Sequence, residues 1–324
     1  MEYGDKHILV LGAGASGIGA SWVLAQVGAH VVLNDYKPVT LPTAEEERLV
    51  SAGVEIITGR QDESLLDGVD RIVISPGISL DIPIVKAAQA RGIDVVSEVE
   101  LAYEVSKSPI VAVTGTNGKT TTTTLLTKVL EGSGKPVRVG GNIGDSLSEV
   151  AYSMPAGGFL VAELSSYQLE TIKHFRPIGA IMLNITPDHL ARHKTMENYI
   201  AAKERIFENQ LKSDFLVLNI DDSVVADMEH RAPSHILQIS QKQTVENGAY
   251  YANGQCYVVE NGVATVVIGD EDIHIPGSHN IENILTVIAL TYALGVPVME
   301  IHRIISEFHG VEHRLERVKT IDGI

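Results

Sequence analysis

Cysteine is almost absent from this sequence: Cys256 is the only one in 324 residues. An intramolecular disulfide framework is therefore excluded, and a reducing, cytoplasmic setting is expected. Aromatic residues are scarce at 5%, so any core must be built from aliphatic side chains. Basic residues are also few. Lys and Arg total 25 against 41 Asp and Glu, a formal net charge of −16, which disfavours non-specific binding to nucleic acid or an anionic membrane surface. A phosphate site in such a chain must come from local backbone and lysine geometry. No run of about 18 apolar residues occurs, so no membrane insertion is expected. The N-terminus has no basic segment followed by an apolar run and a cleavage site.

What is present is an alternation of short apolar runs with helical spacing. His7–Leu11, Val31–Leu33, Val54–Ile57 and Arg71–Ser75 read as strands, with helices expected over 16–27, 44–52 and 81–91. A second series opens with a strand at 110–113 and a helix at 119–131. Further strands are expected at 159–162, 178–183 and 215–218. Such alternation implies a parallel α/β sheet. Between 236 and 275 the pattern turns to short β segments around Asn247-Gly248, Asn253-Gly254 and Asn261-Gly262, all three hairpin signals. Two helices close the series near 278–294 and 298–309. A boundary is expected near Ser97. The sequence ends where a new strand is expected to start, at Ile321-Asp322-Gly323-Ile324, so a third, C-terminal domain is expected to be absent.

Two glycine-rich loops carry the chemistry. Gly12-Ala13-Gly14-Ala15-Ser16-Gly17 follows a strand and opens a helix, and Asp35 lies 18 residues beyond Gly17 at the end of the next strand. This is the dinucleotide fingerprint in context and spacing: glycines admit a diphosphate to the backbone, and the helix start offers free N–H groups. A nicotinamide, a UDP diphosphate, or a tight turn with no ligand all satisfy that loop. Gly115-Thr116-Asn117-Gly118-Lys119-Thr120 is more specific. Backbone N–H groups can cradle phosphates, Lys119 can reach the β and γ groups, and Thr120 can hold Mg²⁺. Val113 stands where the Walker pattern has its first glycine. Of the five threonines 120–124, the first has a role at phosphate; the later ones can back-bond to helix carbonyls or pack.

The second loop resembles the ATP loop of the Mur ligase family. Gly140-Gly141-Asn142-Ile143-Gly144, Glu163-Leu164-Ser165-Ser166-Tyr167-Gln168-Leu169-Glu170 and Asn184-Ile185-Thr186-Pro187-Asp188-His189-Leu190 are similar to the D-glutamate-adding branch of that family. The resemblance covers the whole chain. It implies a Rossmann-like UDP-substrate domain over 1–97, a P-loop-type α/β ATPase domain over 98–310, and a linker over 311–324 that leads to a missing amino-acid-binding domain. It places Gly14, Ala15 and Ser16 on the diphosphate, Asp35 near uracil, and Gly77 and Asn142 on the same substrate. ATP falls to Gly115, Thr116, Asn117, Gly118, Lys119, Thr120 and Thr121, with Asn280 and Asn283 at adenine and ribose and Arg314 reaching the phosphates. Helix capping would account equally for Asn280 and Asn283, turn chemistry for Gly77 and Asn142, and a solvated linker residue for Arg314. Mg²⁺ falls to Thr120, Glu163, His189 and Lys203, the last as a carbamate, and Lys119, His189 and Lys203 are the catalytic set. Family members often carry a second Asp where this chain has Ala191, so no carboxylate role is carried to that position.

The implied partners are UDP-N-acetylmuramoyl-L-alanine and D-glutamate, the implied cofactors ATP and Mg²⁺, and the implied state a monomer. Two other readings stand beside this one: a nicotinamide oxidoreductase fused to a phosphate-loop module, and a nucleotide-binding module without catalysis. The first leaves Glu163, His189 and Asn280 without a role. With the amino-acid domain absent, these 324 residues are expected to bind nucleotide without ligating. An assay for dipeptide product should show no multiple turnover, and sustained turnover would refute the expectation.

Overall fold

The computed structural model describes residues 3–311. They form two compact units. One comprises the chain up to Ile110 together with Arg138–Arg176 and His189–Asn209; the other comprises Val111–Val137, Pro177–Asp188 and the chain from Gln210 onward.

The first unit holds β1 (His7–Leu11), β2 (His30–Asp35), β3 (Glu55–Thr58), β4 (Arg71–Ile74) and β5 (Asp94–Ser97), in the order β3-β2-β1-β4-β5. All four pairings are parallel. Such a sheet is covered on both faces, which explains why β1 and β4 are nearly continuous apolar runs. Aliphatic side chains fill both faces: Ile8, Val10, Val23, Leu24 and Leu33 on one, Leu9, Leu11, Ile72, Ile74 and Val85 on the other. The one charged residue of β4, Arg71, is buried and pairs with Glu104 at 2.9 Å.

The second unit's sheet opens with β6 (Ile110–Thr114). Two strands, β7 (Val137–Gly141) and β8 (Phe159–Glu163), follow in the chain, and most of both lies in the first unit. The second unit continues with β9 (Gly179–Met182), β10 (Phe215–Asn219), β11 (His235–Ser240), β12 (Gly248–Ala252), β13 (Gln255–Glu260) and β14 (Val263–Gly269). Its strand order is β14-β13-β12-β11-β10-β9-β6. Pairing is parallel from β6 to β12 and antiparallel from β12 to β14. The helices Lys119–Glu131 and Ser278–Ala293 belong to this unit, and the second is buried along most of its length. Thr124 and Thr127 turn their hydroxyls back to the carbonyls of Thr120 and Thr123, both at 2.8 Å, as expected for hydroxyls inside a helix.

Two of the three hairpin signals form hairpins. Asn253-Gly254 joins β12 to β13 and Asn261-Gly262 joins β13 to β14, each pair with positive φ at both residues. Asn247-Gly248 does not. It opens β12, which runs parallel to β11 with Gly248 beside Gln238. The glycine is there for closeness: a Cβ would lie 2.0 Å from the Gln238 carbonyl oxygen, and φ is +128°. The short elements Leu147–Ser153, Ser166–Leu169, Leu190–His193 and Met196–Glu204 had no clear periodicity to announce them.

Compactness groups residues on both sides of Ser97, so 1–97 and 98–310 remain a division of sequence. The helix Glu98–Val105 supplies the reason. Glu100, fully buried, accepts backbone hydrogen bonds from Lys173, His174 and Phe175 at 2.7–3.0 Å. Glu98 likewise accepts from the Ser146 hydroxyl and from the backbone N–H and hydroxyl of Ser148.

Gly248→Ala should lower stability by about 3 kcal/mol or more, because a backbone clash adds to the strained φ. Gly254→Ala, strained by its left-handed φ and meeting only the Asp270 side chain at 3.3 Å, should cost about 1–2 kcal/mol. Urea denaturation of both variants checks the ranking; equal losses would contradict the close-approach account.

Candidate functional site

The phosphate loop leaves β6 at Thr114 and enters the helix Lys119–Glu131 through Gly118, whose φ of +84° is left-handed. No side chain caps that helix start, so its first N–H groups are available to an anion. Gly118 is also a close approach: a Cβ would lie 2.6 Å from Asn283 Oδ1. Gly115 packs on Leu183, where a Cβ would fall 2.8 Å from that residue's Cβ. Lys119 Nζ folds onto its own loop and donates to the carbonyls of Gly115 and Thr116 at 3.0 and 2.9 Å.

Two residues that sequence reasoning left out of the site hold this loop. Asn184 Oδ1 accepts from Asn117 N at 2.9 Å, and Asn184 Nδ2 donates to Asn117 O at 3.1 Å. Thr116 N donates to Asn184 O at 2.9 Å, and Thr186 N to Thr116 Oγ1 at 3.0 Å. Their only signal was membership of the segment Asn184–Leu190.

Asn280 and Asn283 are both buried at the start of the helix Ser278–Ala293. Asn283 Nδ2 donates to Asn280 Oδ1 at 3.1 Å, and Asn280 Nδ2 to the Pro276 carbonyl at 2.7 Å. Neither side chain caps the helix. Instead both line a cavity of about 190 Å³ with Gly118, Thr121, His279 and His309. Arg314 lies outside the described residues.

In the first unit, Gly14 precedes the helix Ala15–Gln26 in extended conformation, again without a side-chain cap. Gly17 sits over Gly12, where a Cβ would come within 1.8 Å of the Gly12 carbonyl oxygen. Asp35 is bound to the loop: its Oδ2 accepts from Ala13 N at 3.0 Å and its Oδ1 from Lys37 N at 2.9 Å. Asp35 and Gly77 share a cavity of about 640 Å³ with Tyr36, Gln61, Ile78 and Pro83. Gly14, Ala15 and Ser16 are not among the residues that line it.

A further group lies elsewhere in the same unit. Asn142 is tied to Glu163 twice, by its N–H to the Glu163 carbonyl and by its Nδ2 to Oε1, both at 2.8 Å. Glu163 is 1% exposed, and its other oxygen, Oε2, has no hydrogen-bond partner. A buried carboxylate oxygen left in that state suits a cation. His189 has a left-handed φ of +53° and is exposed, its ring 4.9 Å from that of Tyr167. Lys203 is 2% exposed and its Nζ lies 5.0 Å from the Tyr199 ring centre, so it is no surface lysine with a solvated head. Among the described residues no three His, Cys, Asp or Glu side chains gather as a metal-holding group. The set drawn from sequence does not require one, since it relies on a threonine and a modified lysine.

Around these residues stands a scaffold the sequence did not reveal. Arg192 pairs with Glu170 through two bonds at 3.3 and 2.5 Å, covers the Tyr167 ring at 4.4 Å and donates to Pro76 O at 3.0 Å. Buried His193 bonds Ser166 Oγ at 2.9 Å. Burial pushes its imidazole below the ordinary value, against the pull of Glu170.

The fold and these two loops define an α/β nucleotide-binding protein with a phosphate loop. The family description "Mur ligase middle domain" matches residues 113–291, and "Mur ligase MurD-like, N-terminal domain" matches residues 6–97. The chain is 46% identical, over its whole length, to the UDP-N-acetylmuramoylalanine–D-glutamate ligase of Caldanaerobacter subterraneus subsp. tengcongensis, and covers 71% of that protein. Identity to the enzyme of the same name from Halalkalibacterium halodurans is 41%, over 98% of this chain and 70% of that one. Among solved structures, UDP-N-acetylmuramate:L-alanyl-γ-D-glutamyl-meso-diaminopimelate ligase from Neisseria meningitides superposes with a TM-score of 0.63 at 22% identity, covering 95% of this chain and 99% of that one. The chain belongs to the Mur ligase family, whose members are ATP-dependent ligases that form amide bonds. The relatives named D-glutamate ligases are thus matched over about seven-tenths of their length.

Asn184→Ala removes the side chain that holds both the backbone N–H and the backbone carbonyl of Asn117. ATP affinity should fall by about tenfold, at about 0.5–1.5 kcal/mol for each of the two lost hydrogen bonds, with little change in UDP-substrate affinity. Calorimetric titration of the variant measures both, and unchanged ATP affinity would contradict the assignment.

Proposed function

We propose that this chain carries the two nucleotide sites of a cytoplasmic, monomeric ligase that adds D-glutamate to UDP-N-acetylmuramoyl-L-alanine in peptidoglycan precursor synthesis. The observation that carries the proposal is the pair of glycine-cradled helix starts, one on each unit, joined to full-length identity with D-glutamate ligases. On this reading residues 1–97 serve the UDP substrate, with Gly14, Ala15 and Ser16 at the diphosphate and Asp35 and Gly77 at the uracil end. Asn142 contacts the same substrate. Residues 98–310 serve ATP through Gly115–Thr121, Asn280 and Asn283, and Arg314 belongs to the same set.

The chemistry follows from what a carboxylate lacks. It is a poor acyl donor, because its leaving group would be oxide. Transfer of the ATP γ-phosphoryl group to the terminal carboxylate of the UDP substrate gives an acyl phosphate and ADP. The amine of D-glutamate then attacks the acyl carbon, the amide C–N bond forms, and phosphate leaves with the C–O bond. No protein nucleophile is needed. Lys119 neutralises charge collecting on the phosphates, and the helix N–H groups share that task. Mg²⁺ is assigned to Thr120, Glu163, His189 and Lys203; when bound it supplies further neutralisation at the transferring group. The unpartnered Glu163 Oε2 supports a cation there.

Lys203 enters this set only as a carbamate. An ammonium with an ordinary pKa of about 10.4 repels a metal, whereas a carbamate offers the oxygen ligands Mg²⁺ prefers. Its burial, at 2% exposure, fits that role better than it fits a solvated surface ammonium. In the complete enzyme Lys203→Ala should lose most activity, with partial rescue by a short carboxylic acid. Full activity in carbonate-free preparations with Mg²⁺ would refute the carbamate.

The two loops should separate by mutation. Lys119→Ala should abolish phosphoryl transfer and leave UDP-substrate binding in place. Asp35→Ala should weaken the UDP substrate by about tenfold or more and spare ATP. Isothermal titration of each variant with each nucleotide tests the split, and an Asp35 variant that loses ATP but keeps UDP would reverse the assignment.

A further inference from the structure

The helix Glu98–Val105 begins with two acids of almost no exposure, Glu98 at 2% and Glu100 at 0%. Glu98 collects three donors on one oxygen. Its Oε1 accepts from Ser146 Oγ at 2.6 Å, Ser148 N at 2.7 Å and Ser148 Oγ at 2.9 Å. Its Oε2 is buried without a hydrogen-bond partner. Burying a carboxyl group in this way is costly for stability alone, and an apolar contact of similar volume would often serve as well. A polar anchor does something an apolar one cannot: it fixes direction.

What it fixes is the loop that carries Asn142. Ser146 follows Asn142 by four residues, and Gly141 N closes the loop on Asp145 O at 3.4 Å. One end of this loop is tied to Glu163 through the backbone and side chain of Asn142. The other end is tied to Glu98 through Ser146 and Ser148. Gly19 leaves the space that anchor requires, since a Cβ there would lie 2.2 Å from Ser146 Oγ.

We propose that Glu98 is a positioning residue for the UDP substrate: by holding Ser146 and Ser148 it fixes residues 141–146, and through them the Asn142 carboxamide and its bond to Glu163. The inference rests on the reading of Asn142 as a substrate contact. Glu98 itself touches no substrate. Burial raises its carboxyl above the ordinary range, against the pull of the serine donors, so an amide should substitute well. Glutamine keeps the accepting oxygen and places its NH₂ where Oε2 stands.

Steady-state kinetics on the complete enzyme test this with four variants. Glu98→Ala should raise KM for UDP-N-acetylmuramoyl-L-alanine by about tenfold or more, since misplacement of about 1 Å can cost up to about a hundredfold, while KM for ATP stays within about twofold. Glu98→Gln should restore KM for the UDP substrate to within about threefold of the parent enzyme. If Glu98→Ala does not fold, the double variant Ser146→Ala with Ser148→Ala decides by the same criterion. Asn142→Ala is run beside them. Should it leave KM for the UDP substrate unchanged, the reading of the site falls and the inference with it. Should Asn142→Ala raise that KM while the Glu98 or serine variants shift both KM values equally, or neither, the inference alone is overturned.

Discussion

A chain with a net charge of −16 can hold polyphosphates only where backbone N–H groups are presented at close range, and such presentation depends on how tightly the backbone can turn and approach. Both glycine loops meet that constraint by steric contact. Gly17 rests on the Gly12 carbonyl, where a Cβ would meet backbone at 1.8 Å, and Gly118 takes a left-handed φ with the Asn283 side chain packed against it. The free N–H groups at the two helix starts follow from this geometry. So does the placing of Lys119, which supplies the one full positive charge of the phosphate loop. The rest of each unit can be read as support for these two turns: a parallel sheet fixes the strand ends, and buried aliphatic layers fix the sheet.

The second theme is polar anchoring of loops. Asn184 holds the Asn117 peptide, Asp35 holds Ala13 and Lys37, and Glu100 gathers three consecutive N–H groups of residues 173–175. Each anchor satisfies backbone groups that have no strand or helix partner. Asn184 and Asp35 in this way hold loops that bear candidate site residues, and Glu100 ties the 173–175 segment to the helix Glu98–Val105. Arg192 extends the pattern by joining Glu170, the Tyr167 ring and the carbonyl beside Gly77. Loops held in this way keep their shape without a large apolar contact of their own.

How far these features were legible in the sequence depended on their range. The strand–glycine–helix turns are local, so β1, β6 and the helix Lys119–Glu131 were readable almost to the residue. Asn253-Gly254 and Asn261-Gly262 were readable for the same reason. Asn247-Gly248 misled because one dipeptide serves a hairpin or a strand start, and only the pairing with Gln238, distant in sequence, decides. Asn184 on Asn117 and Glu98 on Ser146 join residues 67 and 48 apart, and no periodicity reports such contacts. Nothing in the local sequence marks Lys203 as buried; its burial emerges only when the helix Met196–Glu204 is packed.

The central claim is that the two glycine loops serve different nucleotides, a uridine diphosphate on the first unit and ATP on the second. The most direct measurement is calorimetric titration of this chain with UMP, NAD⁺ and ATP, singly and in pairs. The account predicts that UMP and ATP each bind at one site, that neither displaces the other, and that NAD⁺ gives no heat of binding. Binding of NAD⁺ without binding of UMP, or competition between UMP and ATP for one site, would contradict it.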